Sequence, residues 1–203
     1  MQRGKLTKII PIALVVIIII IAISAIVSLG QSVFRGGSNN TQPNADVGRV
    51  ALLNTGVDRS VRMTVRGPIV ADENFRSYRI AVSPSSRTAT TYGGYLQTTI
   101  EMKSFDNNTK AYDEFVHALD RANAMKGTAF EGDKDDTRGI CATGTVYEFE
   151  TVRAGQAVKR LWTSTCSGSK GSLEASTTQL KNLFVGQIPE GDALIRSVRL
   201  LMG

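Results

Sequence analysis

The sequence predicts an α+β domain: an antiparallel β-sheet of about five to seven strands with one or two covering helices, plus one N-terminal transmembrane helix. Three observations predict it. A long uncharged run stands near the N-terminus. Apolar and polar residues alternate over several stretches after residue 47. Helical spacing replaces that alternation in two later stretches.

Ile9 to Leu29 reads IIPIALVVIIIIIAISAIVSL, with no charge and with Ser24 and Ser28 as its only polar side chains. A helix of that length spans about 31 Å, close to the roughly 30 Å hydrocarbon core of a bilayer. In lipid the backbone must satisfy its own amides, which selects the helix. Pro11 falls in the first turn, where a missing N–H costs little. Arg3, Lys5 and Lys8 precede the run, and Arg35 is the only charge between it and Asp46. The positive-inside rule therefore makes residues 1–8 a cytoplasmic flank and residues 9–29 a signal-anchor in the bilayer, with the C-terminal domain extracytoplasmic. A cleaved signal peptide would have a shorter apolar region and a small-residue site beyond it. A pilin-type leader would want an apolar residue and then an acid after Gly4, where Lys5 and Lys8 stand, and no interruption at Gly30, Gly36, Gly37 and Pro43.

Residues 30–46 are rich in Gly, Ser, Asn and Gln and read as a flexible linker. Residues 47–203 are the right length for one domain. The net charge is +6, but three bases sit in the flank. The other 21 bases face all 18 acids, and a balance of about +3 is not that of a nucleic-acid binder.

Within the domain, Val61, Met63 and Val65 alternate with Arg62, Thr64 and Arg66. Tyr78, Ile80 and Val82 do the same, as do Leu96, Thr98, Ile100 and Met102. Each reads as a strand with one wet face. Gly67-Pro68, Ser83-Pro84-Ser85 and Gly93-Gly94 supply turns, so the arrangement is an antiparallel meander. Asn108-Thr109 then caps a helix carrying Tyr112, Phe115, Val116, Leu119 and Ala122, which is expected to stop near Lys126-Gly127. Cys141 to Val152 returns to alternation and turns at Ala154-Gly155 into a second strand ending at Cys166. Ser176 to Gln179 is a capping box before Leu180, Leu183 and Phe184, closed by Gly186 and Pro189. Leu194, Ile195, Val198 and Leu201 suggest a last short helix.

A two-residue turn at Ala154-Gly155 would set Tyr147 opposite Trp162 and Cys166 opposite Thr143. Cys141 and Cys166 then become diagonal neighbours, about 7–8 Å apart and slightly beyond disulfide range unless a bulge draws them together. Two cysteines, both past the span, favour a structural disulfide over a metal site or redox pair. The competing reading is two reduced, buried thiols.

Chemistry-bearing clusters are sparse. His117 falls off the apolar helical stripe and is expected to be exposed. One histidine and two paired cysteines leave no zinc set. Glu131 to Asp136 is acid-rich but lacks EF-hand spacing. Gly168-Ser-Lys170-Gly171-Ser172 lacks the full phosphate-loop pattern. Asn39-Asn-Thr41 and Asn107-Asn-Thr109 fit a glycosylation triplet by pattern only. Tyr147 and Trp162 read as core. Arg62, Arg66, Arg76 and Arg79 are the candidate surface-binding residues, a basic face competing with an ordinary solvated one. No catalytic, metal-ligating or cofactor-binding residue is assigned.

Arg138-Gly139, Cys141, Gly144, Tyr147-Glu-Phe149, Leu161-Trp162, Cys166, Leu183-Phe184 and Gln187-Ile188-Pro189 together resemble uncharacterised single-pass anchored surface proteins of candidate-phylum (Saccharibacteria-like) bacteria. The likeness covers roughly residues 110–190. It implies a bacterial cell-surface location and a structural cysteine pair, and carries no activity.

The expected function is a non-enzymatic binding or envelope-associated module, partnered by the bilayer through residues 9–29 and by an envelope protein or extracellular ligand. The alternative is an accessory subunit of a membrane or envelope complex. A hydrolase built on Glu148, Glu150 or Asp136 would need buried, convergent acids, whereas alternation puts Glu148 and Glu150 on one face expected to be wet.

Overall fold

The computed structural model describes residues 46–200. The basic flank, the 9–29 span and the linker up to residue 45 lie outside the described residues, as does the predicted Leu201. Among the described residues no helix is long and apolar enough to cross a membrane.

The domain is α+β. Its elements run α1 (Val47–Leu52), β1 (Arg59–Arg66), β2 (Arg76–Val82), β3 (Ser86–Gly93), β4 (Thr98–Asp106), α2 (Thr109–Arg121), a short 3-10 turn (Gly132–Asp135), β5 (Val146–Arg153), β6 (Gln156–Ser164), α3 (Thr177–Val185) and α4 (Gly191–Leu200). The six strands form one antiparallel sheet in the order β4-β3-β2-β1-β5-β6. The first four strands are the expected meander, and the β5–β6 hairpin adds on the other side of β1.

Alternation puts Val61, Met63 and Val65 of β1, Tyr78, Ile80 and Val82 of β2, and Phe149 of β5 on one face. These meet Leu52 of α1, Tyr112, Phe115, Val116 and Leu119 of α2, Leu180 and Phe184 of α3, and Leu194 and Val198 of α4 in a single core. Phe184 links the layers, edge-on to Phe115 at 5.4 Å and tilted against Phe149 at 6.0 Å. Four helices share the covering, more than the one or two expected.

Several sequence expectations are corrected. Residues 47–52 form a helix rather than the start of alternation, because the Asp46 carboxylate accepts from the Gly48 amide at 3.0 Å and caps it. β3, SRTATTYG, was not foreseen, since its threonines show no apolar alternation. β4 begins at Thr98, and its Ile100 and Met102 are 51% and 65% exposed rather than buried on one face. α2 ends at Arg121, ahead of Lys126-Gly127. Asn123 takes the left-handed conformation at φ 59°, and the Ala124 amide closes the turn on the Leu119 carbonyl at 3.0 Å.

The hairpin begins as predicted, with Arg153 opposite Gln156. A bulge between Thr151 and Val152 then shifts the register by one residue, so Trp162 opposes Glu148 and Tyr147 opposes Thr163. A one-residue slip reverses faces. Trp162 is therefore buried on the side away from the helices, edge-on to Phe130 at 5.9 Å. Gly171 lies flat on it at φ +75°, where a Cβ would come within 2.1 Å of the Trp162 carbonyl oxygen.

Candidate ligand-binding site

The sheet face away from the helices carries the charges. Register sets Arg62 beside Glu150 and Thr64 between Arg79 and Glu148. Arg62 Nε donates to Glu150 Oε2 at 2.5 Å. Arg66 Nη2 donates to Glu148 Oε1 at 2.5 Å, and the Thr137 hydroxyl donates to the same oxygen at 2.7 Å. Arg160 Nη2 donates to Asp135 Oδ2 at 2.6 Å and its other terminal nitrogen lies 4.0 Å from Glu148. Glu148 and Glu150 are 5% and 8% exposed, so the expectation that they are wet is wrong. The 131–140 loop, with its 3-10 turn, folds back over β5 and β6, placing Asp135 on Arg160 and Thr137 on Glu148. Each carboxylate is committed to a guanidinium.

Of the four predicted arginines, the structure brings together Arg62, Arg66 and Arg79. Arg79 has no carboxylate partner among the described residues; its Nε donates to Thr64 Oγ1 at 3.1 Å and its guanidinium lies 5.6 Å over the Tyr92 ring. Arg76 has the opposite strand parity and donates instead to the carbonyls of Glu73 and Phe75, at 2.7 and 2.8 Å.

At the β1/β5 end of this face a cleft of about 410 Å³ opens between the 67–75 and 137–142 loops. The buried Phe75, Cys141 and Val146 form its floor. Ile69, Tyr95, Leu96 and Ile140 line its sides, and Arg66, Thr137 and Arg138 supply its polar groups. Tyr95 stacks on Phe75 with ring centroids 3.9 Å apart and planes 15° apart, and its hydroxyl donates to the Val70 carbonyl at 2.6 Å. Gly94, Tyr95 and Leu96 are all left-handed, at φ 56°, 52° and 74°. That backbone is costly for Tyr and Leu, and the stack and hydroxyl bond hold it in place. Ile69 N donates to the Ala142 carbonyl at 2.8 Å and ties the two loops together.

The disulfide fixes one side of the cleft. Cys141 and Cys166 are bridged with Cα atoms 5.5 Å apart. Thr145 to Thr165 closes the ladder just before it, the Thr165 amide donating to the Thr145 carbonyl at 3.0 Å. By register alone the shift would move the cysteines one residue further apart; the strands end at Val146 and Ser164, and the irregular backbone beyond those ends brings Cys141 and Cys166 within reach.

Electrostatics are local. Arg138 clamps Asp136 through side-chain bonds at 2.5–2.9 Å and its own amide at 3.0 Å, holding that carboxyl down to about 2. Burial pushes the Tyr112 hydroxyl well above its ordinary range. His117 is exposed, as expected, 3.8 Å from Asp113. Among the described residues no three of His, Cys, Asp and Glu converge on a metal-sized space.

The cleft went unseen in the sequence because its parts come from four stretches far apart in the chain. The nearest signal was Gly93-Gly94 followed by Tyr95, a turn with an aromatic at its tip. Fold and site define a class: an α+β domain whose open antiparallel sheet carries a disulfide-bounded apolar cleft at one end. No protein-family model matches the chain, and no curated protein matches it.

Proposed function

We propose that the protein is a membrane-anchored extracytoplasmic binding module, held by residues 9–29, that takes a small, largely apolar ligand in the cleft beside the disulfide. The observation that carries this reading is the Phe75–Tyr95 stack at the mouth of a 410 Å³ apolar cleft. That volume falls within the roughly 300–1,000 Å³ of ligand sites, and apolar walls with a few fixed polar groups are their usual lining. Each carboxylate of this face, Glu148, Glu150 and Asp135, is held by a guanidinium, which favours a binding role over acid–base chemistry. Arg66 lines the cleft, and Arg62 and Arg79, on the same face of the sheet, remain the rest of the basic part of the proposed surface.

A panel of small aromatic and aliphatic compounds, screened by ligand-observed NMR against the full-length chain in detergent, tests the site. Saturable binding that disappears with Ile140→Asp supports it. Binding untouched by that substitution, or none across the panel, removes the cleft from the account.

A further inference from the structure

The two edges of the sheet are finished differently. Along β6, the Ser172 and Leu173 amides both donate to the Trp162 carbonyl, at 2.9 and 3.0 Å, and Thr163 Oγ1 donates to the Lys170 carbonyl at 2.9 Å. That edge is covered by the chain itself. β4 is nine residues long, and among the described residues no backbone segment hydrogen-bonds along its outer side; only its last carbonyl, of Asp106, is taken, by the Arg87 guanidinium at 2.9 and 3.2 Å. A long uncovered edge of this kind is a template for another strand.

The bonding phase of that edge follows from one contact. The Asn107 amide donates to the Ser85 carbonyl at 3.0 Å, making 85 and 107 a bonded pair. Bonded and non-bonded pairs alternate in an antiparallel ladder. Phe105, Lys103 and Glu101 therefore bond inward to β3, opposite Arg87, Ala89 and Thr91. Met102 and Ser104 turn their amides and carbonyls outward. Met102 also has its side chain 65% exposed, and Ile100 beside it 51%.

We propose that a second copy of the chain pairs with this one along β4, antiparallel and centred on Met102. A two-fold axis there sets Met102 opposite itself as a bonded pair, with each copy's outward amide facing the other's outward carbonyl. It also sets Glu101 opposite Lys103 of the second copy, and Lys103 opposite its Glu101. Opposite charges directly across a ladder attract and like charges repel, which selects this register. An axis on Glu101 or Lys103 would instead face like charges. Within one chain Glu101 and Lys103 form an exposed ion pair at 3.6 Å, with side chains 50% and 41% exposed, and across the axis each meets a second partner of opposite charge. An interface that is self-complementary about one axis closes as a dimer. The two sheets become one sheet of twelve strands, with Met102 against Met102 on the face away from the helices. If the proposed anchor holds, two copies in one bilayer also meet at raised local concentration, but the pairing itself does not depend on it.

The test is oxidative cross-linking of the full-length chain in membranes. A bonded antiparallel pair has Cα atoms about 5.5 Å apart, inside disulfide range. Met102→Cys is expected to cross-link to itself, and Thr99→Cys, which would oppose Phe105, is not. Adding Glu101→Lys to Met102→Cys sets cations against cations and should weaken pairing about tenfold. Adding Glu101→Lys and Lys103→Glu together should restore it, because the pairs are re-formed with signs exchanged. Retention of the Cys141–Cys166 bridge in each variant, read by mass, shows that the domain has folded. Equal cross-linking at 99 and 102, no cross-link at 102, cross-linking at 102 to a different protein, or a double charge swap that stays as weak as the single one overturns the proposal.

Discussion

Glu148 Oε1 accepts from Arg66 at 2.5 Å on β1 while accepting from Thr137 at 2.7 Å in the loop that bounds the cleft. One carboxylate therefore joins the sheet to the cleft wall. Arg66→Met leaves a buried carboxylate with only a hydroxyl and a distant guanidinium. It is expected to cost roughly 2–4 kcal/mol, at or below the usual figure for breaking a buried pair because Arg66 is 23% exposed. Arg66→Met with Glu148→Leu should recover most of that, leaving only the Thr137 hydroxyl without its acceptor. Urea denaturation of the three proteins checks it.

The Cys141–Cys166 bridge closes a loop with a sequence separation of 25. Its reduction is expected to lower stability by about 2–4 kcal/mol. Because Cys141 lies in the cleft floor, reduction should also raise amide exchange at 137–142 more than in β1 or β2. Exchange measured with and without reductant gives the answer.

Tyr112 is wholly buried and its hydroxyl has no hydrogen-bond partner. An unpartnered buried hydroxyl costs about 1–3 kcal/mol. Tyr112→Phe should therefore hold or raise stability, by up to about 1 kcal/mol once lost packing adjustments are allowed for. A loss of stability in thermal or urea unfolding would show that the hydroxyl is engaged.

Asp136 is held at about 2 by Arg138, below the ordinary carboxylate value of about 3.9. A carboxyl held low in the folded state stabilises fully above its unfolded pKa. That contribution disappears as pH falls from about 4 through about 2. Carbon-detected NMR titration should find Asp136 among the last aspartates to protonate, and Arg138→Ala should move it back toward the ordinary value.

Much of the fold was legible where one face is buried and the other is not. Val61-Met63-Val65, Tyr78-Ile80-Val82 and the Tyr112–Leu119 stripe announced their elements because burial selects apolar residues at the period of the backbone. β3 was hidden because small and polar residues fill it: Ala89 is its core residue, and Thr90 and Thr91 beside it are buried too, so burial leaves no apolar alternation. β4 misled for the opposite reason: Ile100 and Met102 alternate properly but lie on an open edge. The cysteine pairing was legible and its register was not, since a bulge at Thr151/Val152 leaves no composition signal. The cleft was invisible because Arg66, Phe75, Tyr95 and Cys141 meet only through sheet order, which local patterns do not encode.

The Cys141–Cys166 bridge is in the structure, and the anchored, extracytoplasmic setting is the central proposal. The measurement that tests it most directly is mass mapping of Cys141 and Cys166, under reducing and non-reducing conditions, after treating intact cells with a membrane-impermeant thiol reagent. The account predicts a bridged pair that resists labelling until reductant is added outside the intact cells, and then labels fully. Two free thiols that react only after lysis would contradict it, placing the domain in the cytoplasm.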